Sequence, residues 1–139
     1  MTVQILCNRR GCKNPKLQYS KLCEKCYLKQ KSVQQLGNVH FWKELKLLLE
    51  QQRYKCPYTG NDLILGLNTS LDHIVSKKLD NSKAKDLNNI QWVDFQVNMA
   101  KGHLTHQQFI DFCKQITEYQ QKKTLKTLNT VVTVNDYKR

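Results

Sequence analysis

Residues 70–101, SLDHIVSKKLDNSKAKDLNNIQWVDFQVNMAK, contain two short apolar runs separated by a polar loop. The runs Ser70–Val75 and Asn89–Val93 have the length and the residue types of β-strands. The residues that follow, Asp94–Lys101, have the spacing of a short helix, and Gly102 is a suitable C-terminal stop for it. The sequence therefore predicts a strand–loop–strand–helix unit, and with it the α+β fold class.

The same unit carries the residue types that hydrolysis of a phosphodiester needs. These are a base to activate water and ligands for a hard cation that neutralises charge on the phosphate. Mg²⁺ takes oxygen ligands and keeps several waters, so the carboxylate of Asp72 and the amide of Asn98 would suffice. The imidazole of His73 is the candidate general base, because it is partly neutral near its ordinary pKa. Asn89 would orient that imidazole or tie the loop to the second strand by hydrogen bonds.

Asp72 and His73 are adjacent, and neighbours on a regular strand point to opposite faces of a sheet. If both residues serve one site, a bend, a bulge or the end of the strand has to lie between them. We therefore expect an irregularity of the backbone at Asp72–His73.

Four cysteines near the start of the chain form two close pairs, Cys7 with Cys12 and Cys23 with Cys26. Such pairs joined by a short loop can place four thiolates tetrahedrally around one Zn²⁺. The stretch has few apolar residues and could not bury a core of its own, so the metal would hold it folded. The alternative is a redox Cys-x-x-Cys at Cys23 and Cys26, but the βαβ context of that motif is missing. The sequence thus predicts a small structural zinc module.

The chain is strongly basic: 23 Lys and Arg against 11 Asp and Glu give a formal net charge of +12. Residues 1–38 carry +7 and residues 122–139 carry +4, whereas residues 39–121 carry only +1. Such an excess favours a polyanionic partner, and nucleic acid is the commonest one. Basic residues of the zinc module could be solvated surface or could contact phosphate, and the candidates are Arg9, Arg10 and Lys13.

Further helices are expected on both sides of the strand–loop–strand–helix unit. Asn38 is a suitable N-cap for a core-packing helix over Val39–Arg53. Thr105 and Gln108 fit a capping box for a helix that runs to about Gln121. The expected buried face of that helix consists of Phe109, Phe112, Cys113, Ile116 and Tyr119.

The remaining segments carry weaker signals. Residues 29–37 are a polar linker or the tail of a short helix, and Cys56 is expected to be a small buried hydrophobe. The C-terminal residues could add a strand at Val131–Val134 or become ordered only on DNA. The predicted organisation is a zinc module with its linker, a nuclease-like domain with flanking helices, and a basic tail, over residues 1–37, 38–121 and 122–139.

No secretory signal precedes the cysteines, and no apolar run approaches the roughly 18 residues that span a bilayer. A cytoplasmic location without membrane contact is therefore expected, and the six cysteines are interpreted as metal ligands or free thiols. The protein is expected to act as a monomer or a homodimer.

The run CPYTG…LDHIVSKK…NNIQWV…NMAKG, within residues 56–102, resembles the HNH endonuclease family. The resemblance implies a ββα-metal unit with Asp-His on the first strand, Asn at the start of the second and a further Asn on the helix. For this chain it implies His73 as the general base and Asn89 as the central Asn. It implies Asp72 and Asn98 as ligands of Mg²⁺ or Mn²⁺. Basic residues near such a site contact the DNA backbone, and the candidates are Lys101, Lys77, Lys78 and His103.

A zinc module followed by this unit resembles small phage or mobile-element HNH nucleases, including homing endonucleases. The expected function is a metal-dependent DNA endonuclease that nicks or cuts double-stranded DNA. The alternatives are a non-catalytic zinc-containing DNA-binding protein and a dimeric HNH restriction-type endonuclease. In a purely structural interpretation, Asp72 would cap a turn, His73 would be a satisfied strand histidine and Asn98 would be a surface amide.

Overall fold

The computed structural model describes residues 3–137, with side chains described for residues 3–130. Within these residues it contains four α-helices and one two-stranded sheet, joined by loops and short 3₁₀ turns. In chain order the elements are α1 (Glu24–Leu36), α2 (Trp42–Gln51), β1 (Thr69–His73), β2 (Ile90–Asp94), α3 (Phe95–Lys101) and α4 (His106–Tyr137). The α+β class expected from the sequence is confirmed.

The predicted strand–loop–strand–helix order is present as β1, β2 and α3. The two strands pair antiparallel, with Leu71 opposite Trp92, and both of these side chains are buried. β1 ends two residues earlier than predicted, because the chain bends at Ile74 and Val75. The amide of Val75 then donates to the side chain of Asn89 (N···Oδ1 2.7 Å). The first strand therefore ends where its backbone begins to bond the side chain of Asn89 instead of the backbone of β2.

The helices α1 and α2 pack against this sheet to form the hydrophobic core. Leu28 of α1 is completely buried, and so are Leu45 and Leu49 of α2. The indole of Trp92 donates to the backbone carbonyl of Leu45 (Nε1···O 2.9 Å), which satisfies the single polar atom of the ring. The core-packing role predicted for the second helix is therefore confirmed.

Local side-chain chemistry sets the ends of the first two helices. Asn38 accepts a hydrogen bond from the amide of His40 (2.8 Å) and starts a 3₁₀ turn, Val39–Phe41, before the regular helix α2 begins. Residues 29–36 belong to α1, and the helix ends at Gly37 with a φ of 72°. This left-handed conformation suits glycine. The stretch considered a linker or a helix tail is thus helical.

The chain divides into two compact units, Met1–His103 and Leu104–Arg139. The predicted capping box of α4 is present: the amide of Thr105 donates to Gln108 Oε1 (3.0 Å), and the amide of Gln108 donates to Thr105 Oγ1 (3.2 Å). The helix then continues to Tyr137, past the expected end near residue 121 and through the expected strand at 131–134. The sequence after Gly102 contains no Gly or Pro that would stop it. The last two residues of the basic tail lie outside the described residues.

The predicted buried face of α4 is largely exposed. Phe109 is buried, but the other four side chains of that face are exposed, namely Phe112, Cys113, Ile116 and Tyr119. The prediction was wrong for these four, because the described part of Leu104–Arg139 is one helix, without a second element of that unit to cover the stripe. Although α4 is 32 residues long, neither it nor another described helix is apolar enough to cross a membrane.

Candidate functional site

The four cysteines of the N-terminal module form a single cluster, with their sulfur atoms within 4.8 Å of one another. Cys7 and Cys12 lie on a loop that is closed by a hydrogen bond from the Cys7 amide to the Asn14 carbonyl (2.8 Å). Cys23 and Cys26 lie at the start of α1. Four thiolates at these distances are the donor set of a structural metal site, so the cluster can bind a metal such as zinc.

The protonation of the cysteine thiols is uneven. Burial tends to raise the pKa of Cys7, but hydrogen bonds from the backbone of Arg9 and Cys23 and from neighbouring thiols lower it to about 7. Burial, together with hydrogen bonds to the other thiols, raises the pKa of Cys26 to about 12. A metal ion needs deprotonated sulfur, so its binding would release protons from the higher-pKa members of the cluster.

A second site is a cleft of about 270 Å³ lined by β1, the loop after it and α3. It brings together six of the residues predicted for the nuclease site, which are Asp72, His73, Lys77, Lys78, Asn98 and His103. Asn89 and Lys101 do not line it: Lys101 lies directly behind Asp72, and Asn89 lies behind the loop at Val75 and Lys83. The carboxylate and the amide predicted as metal ligands therefore share one cleft.

Asp72 is held on both of its carboxylate oxygens. Gln91, its partner in the β1–β2 ladder, donates to Oδ2 (Nε2···Oδ2 2.9 Å), and Lys101 of α3 donates to Oδ1 (Nζ···Oδ1 3.1 Å). Tyr58 contacts Gln91 in turn (Oη···Nε2 3.3 Å). Each carboxylate oxygen has a further lone-pair direction, so the group keeps acceptor capacity towards the cleft.

Lys101 is 1 % exposed, and its ammonium also donates to the carbonyl of His73 (3.2 Å). The resemblance implied that this lysine contacts the DNA backbone, and that role does not fit a side chain enclosed between α3 and β1. The side chain is enclosed because it forms an ion pair with Asp72, in which the Lys101 side chain is 0 % and the Asp72 side chain 4 % exposed. Lys101 instead fixes the position of the carboxylate.

His73 is half-buried at the end of β1. Its Nε2 lies 2.8 Å from the carbonyl oxygen of Ala84, which can only accept, so Nε2 carries the proton of the neutral ring and Nδ1 is free to accept one. Burial lowers the pKa of this imidazole; the Ala84 carbonyl opposes the shift, and the charge of Lys77 adds to it. The ring is therefore held neutral, as a general base requires.

The irregularity expected at Asp72–His73 is not found. The two residues pair in regular register with Gln91 and Ile90, and the bend falls after His73. Both side chains nevertheless line the cleft. The strand ends after His73, one residue later than the bend, bulge or strand end that was expected between Asp72 and His73.

Asn89 is buried and makes three hydrogen bonds to the backbone of the loop. Its Oδ1 accepts from the amide of Val75 (2.7 Å), and its Nδ2 donates to the carbonyls of Val75 (3.0 Å) and Lys83 (3.2 Å). Of the two roles considered for Asn89, tying the loop to the second strand is the one observed. The Ala84 carbonyl that contacts His73 is next to Lys83, so Asn89 positions the imidazole through the loop.

Asn98 is half-buried on α3 and faces β1. Its Nδ2 donates to Ser70 Oγ (2.6 Å) and to the carbonyl of Leu71 (3.4 Å). These contacts fix the amide plane and leave Oδ1 on the other side, where no described residue donates to it. An amide oxygen in this position can act as a ligand for a hard cation.

The basic candidates near the cleft are exposed. Lys77 and Lys78 follow the strand end, and His103 accepts from or donates to Ser76 (Nδ1···Oγ 3.1 Å). Away from the cleft, the basic candidates of the cysteine module are also exposed, namely Arg9, Arg10 and Lys13. These side chains can reach a polyanion without moving the core.

Sequence reasoning missed Gln91, Tyr58 and Ser70 as supports of the site. Gln91 could have been found from the strand pairing, because an antiparallel ladder puts it opposite Asp72. Outside the cleft, Cys56 is buried as predicted and its sulfur accepts from the amide of Asp94 (3.4 Å).

The chain matches no protein-family model, no curated protein and no solved structure.

Proposed function

We propose that this protein is a metal-dependent DNA endonuclease of the HNH type, with the ββα-metal unit formed by β1, β2 and α3. The observation that carries the proposal is the shared cleft of Asp72, His73 and Asn98. A carboxylate, an imidazole with a lowered pKa and an amide oxygen are a suitable set for metal-assisted hydrolysis of a phosphodiester. The finer assignment to phage or mobile-element nucleases rests on the sequence resemblance alone.

In this proposal His73 is the general base. Its Nδ1 takes a proton from the attacking water while the Ala84 carbonyl holds the ring by Nε2 (2.8 Å). Asp72 and Asn98 would hold a divalent ion such as Mg²⁺ or Mn²⁺, which supplies charge neutralisation on the scissile phosphate and the leaving oxygen. Gln91 and Lys101 keep the carboxylate in place, and Asn89 keeps the loop in place.

The substrate proposed is duplex DNA. The net charge of +12 favours a polyanion, and Lys77, Lys78 and His103 line the cleft where the phosphate would bind. One cleft acts on one strand, so a monomer would nick, and a double-strand break would need a homodimer or two encounters. In the N-terminal module we propose Zn²⁺ as the metal that holds the basic loop folded.

The test is nicking of a supercoiled plasmid by zinc-loaded protein with Mg²⁺, with Mn²⁺, or with neither. We expect metal-dependent conversion to the open circle by the wild-type protein and none by His73→Ala, with DNA affinity nearly unchanged. His40→Ala is the matched control: this histidine is exposed on the 3₁₀ turn before α2 and should leave nicking intact. Equal nicking by the His73 variant would rule out the proposed base.

One observation favours a second function, a non-catalytic zinc-containing DNA-binding protein. Both carboxylate oxygens of Asp72 are already hydrogen-bonded by Lys101 and Gln91, which is also what a purely structural aspartate would show. This alternative predicts salt-sensitive DNA binding without strand scission in either metal. The same plasmid assay separates the two functions.

A further inference from the structure

We propose that three lysines gathered around Trp42 form a second contact surface for the DNA backbone, separate from the cleft. We call this surface the Trp42 cluster; it consists of Trp42, Lys25, Lys29 and Lys43. The identity of its partner as DNA rests on the proposed function.

The cluster is built from two helices. Lys25 and Lys29 are four residues apart and so lie on one face of α1, while Trp42 and Lys43 begin α2. Their ammonium nitrogens lie 5.2 Å (Lys25), 6.0 Å (Lys29) and 5.8 Å (Lys43) from the centre of the indole ring. The ring also packs against the hydrophobic core. Cation–π attraction to this ring therefore favours conformations that gather the three ammonium groups beside it.

The acid that lines the same cavity as Lys25 and Trp42 is Glu24, and it is paired with Lys46 (3.2 Å) rather than with the cluster. Among the described residues none of the three lysines of the cluster forms an ion pair. Because each nitrogen is within 6.0 Å of the same ring centre, no two are separated by more than twice that distance. This upper limit on the distance between two ammonium nitrogens is comparable with the Debye length of roughly 10 Å at 0.1 M salt, so the charges repel one another. Closely spaced phosphates would relieve that repulsion.

The cluster adjoins the four-cysteine site. Lys25 and Trp42 line a cavity of about 350 Å³ together with Asn14 and Cys23, and α1 carries both cysteines and lysines in its first turns. A metal on the cysteines would therefore fix the helix that presents Lys25 and Lys29. The metal site and the cluster would then stabilise the same end of α1.

Duplex backbone is the partner that suits this geometry best. A base from single-stranded nucleic acid would need an open face of the indole on which to stack. In this cluster three ammonium groups already lie against the ring. Phosphate oxygens, by contrast, can contact these groups without displacing them.

The test measures how the affinity for a labelled random-sequence DNA duplex depends on salt, using zinc-loaded protein without added Mg²⁺ or Mn²⁺. Each lost phosphate contact makes the slope of log K against log salt less negative by about 0.9. The triple variant Lys25→Gln, Lys29→Gln, Lys43→Gln should therefore change the slope by about 2 to 3. The triple change of the same lysines to Arg should restore the wild-type slope.

A matched control replaces two lysines that are paired with acids, Lys55 with Asp62 and Lys114 with Glu118. Lys55→Gln, Lys114→Gln should change the slope by well under about 1, because their charge is already compensated. A triple variant whose slope equals that of this control would overturn the proposal. The binding assay does not depend on cleavage. If the triple variant has a less negative slope but the wild-type protein does not nick DNA, the proposed endonuclease activity is refuted and the proposed contact surface is not. Nicking with an unchanged slope would refute only the surface.

Discussion

Replacing Lys101 by Met should destabilise the protein far more than a surface lysine change does. The substitution keeps most of the side-chain volume but removes the charge opposite Asp72, which is 3 % exposed. Removing one partner of a buried pair costs about 3–5 kcal/mol, because the other charge stays buried without compensation. Asp72 would retain its hydrogen bond from Gln91 (2.9 Å), which places the expected loss at the lower end, about 3 kcal/mol. For a unit of this size that lowers Tm by about 12 °C or more.

The assay is urea unfolding followed by tryptophan fluorescence, since Trp92 is completely buried and reports on the core. Lys55→Met is the matched control: Lys55 forms an exposed ion pair with Asp62, so its loss should cost about 1 kcal/mol or less. The double change Lys101→Met, Asp72→Asn removes both charges and should recover part of the loss. If Lys101→Met costs no more than Lys55→Met, the ion pair is not a determinant of stability.

Two further changes test the loop and the cysteine cluster. Asn89→Ala leaves the backbone groups of Val75 and Lys83 without partners and should lower the free energy of unfolding in urea by about 2–4 kcal/mol. Asn88 is the exposed neighbour, and Asn88→Ala should lower it by about 0.5 kcal/mol or less. Equal losses would contradict the tying role of Asn89. Cys23→Ser should lower the zinc content measured by mass spectrometry, while Cys113→Ser, outside the cluster, should leave it unchanged. Retention of zinc by the Cys23 variant would refute the four-thiolate site.

The sequence was sufficient where local chemistry determines structure. The strand–loop–strand–helix order follows from apolar runs and turn residues, and the capping box of Thr105 and Gln108 formed as expected. The four cysteines converge because their spacing leaves few other arrangements. In each case the interacting residues are close in sequence, so the spacing of residue types along the chain predicts which of them meet.

Prediction failed where the answer depends on a distant partner. The apolar stripe of α4 satisfies the period of a buried helix face, but period alone does not supply an element to cover it. Phe112 and Ile116 have the correct spacing and are exposed all the same. The β1 boundary also depended on a distant residue, because the side chain of Asn89 captures the Val75 amide (2.7 Å).

The burial of Lys101 could have been inferred from the sequence. Asn98 and Lys101 are three residues apart on α3, and residues at that spacing share a helix face. Placing Asn98 on the side of α3 that faces β1 therefore placed Lys101 on the same side. Basic character alone suggested a phosphate contact, whereas helix geometry required an interior one.

Asp72 joins the stability of the fold to the chemistry proposed for the cleft. Its carboxylate is fixed by β2 through Gln91 and by α3 through Lys101, so each of the three elements of the unit contributes one group to a single hydrogen-bonded network. A change at either donor alters both the packing of α3 on the sheet and the direction of the carboxylate. Loss of nicking in such variants is informative only if unfolding is measured beside it. His73 is different, because its ring bonds only to the loop carbonyl of Ala84 among the described residues, and its removal isolates the chemical step.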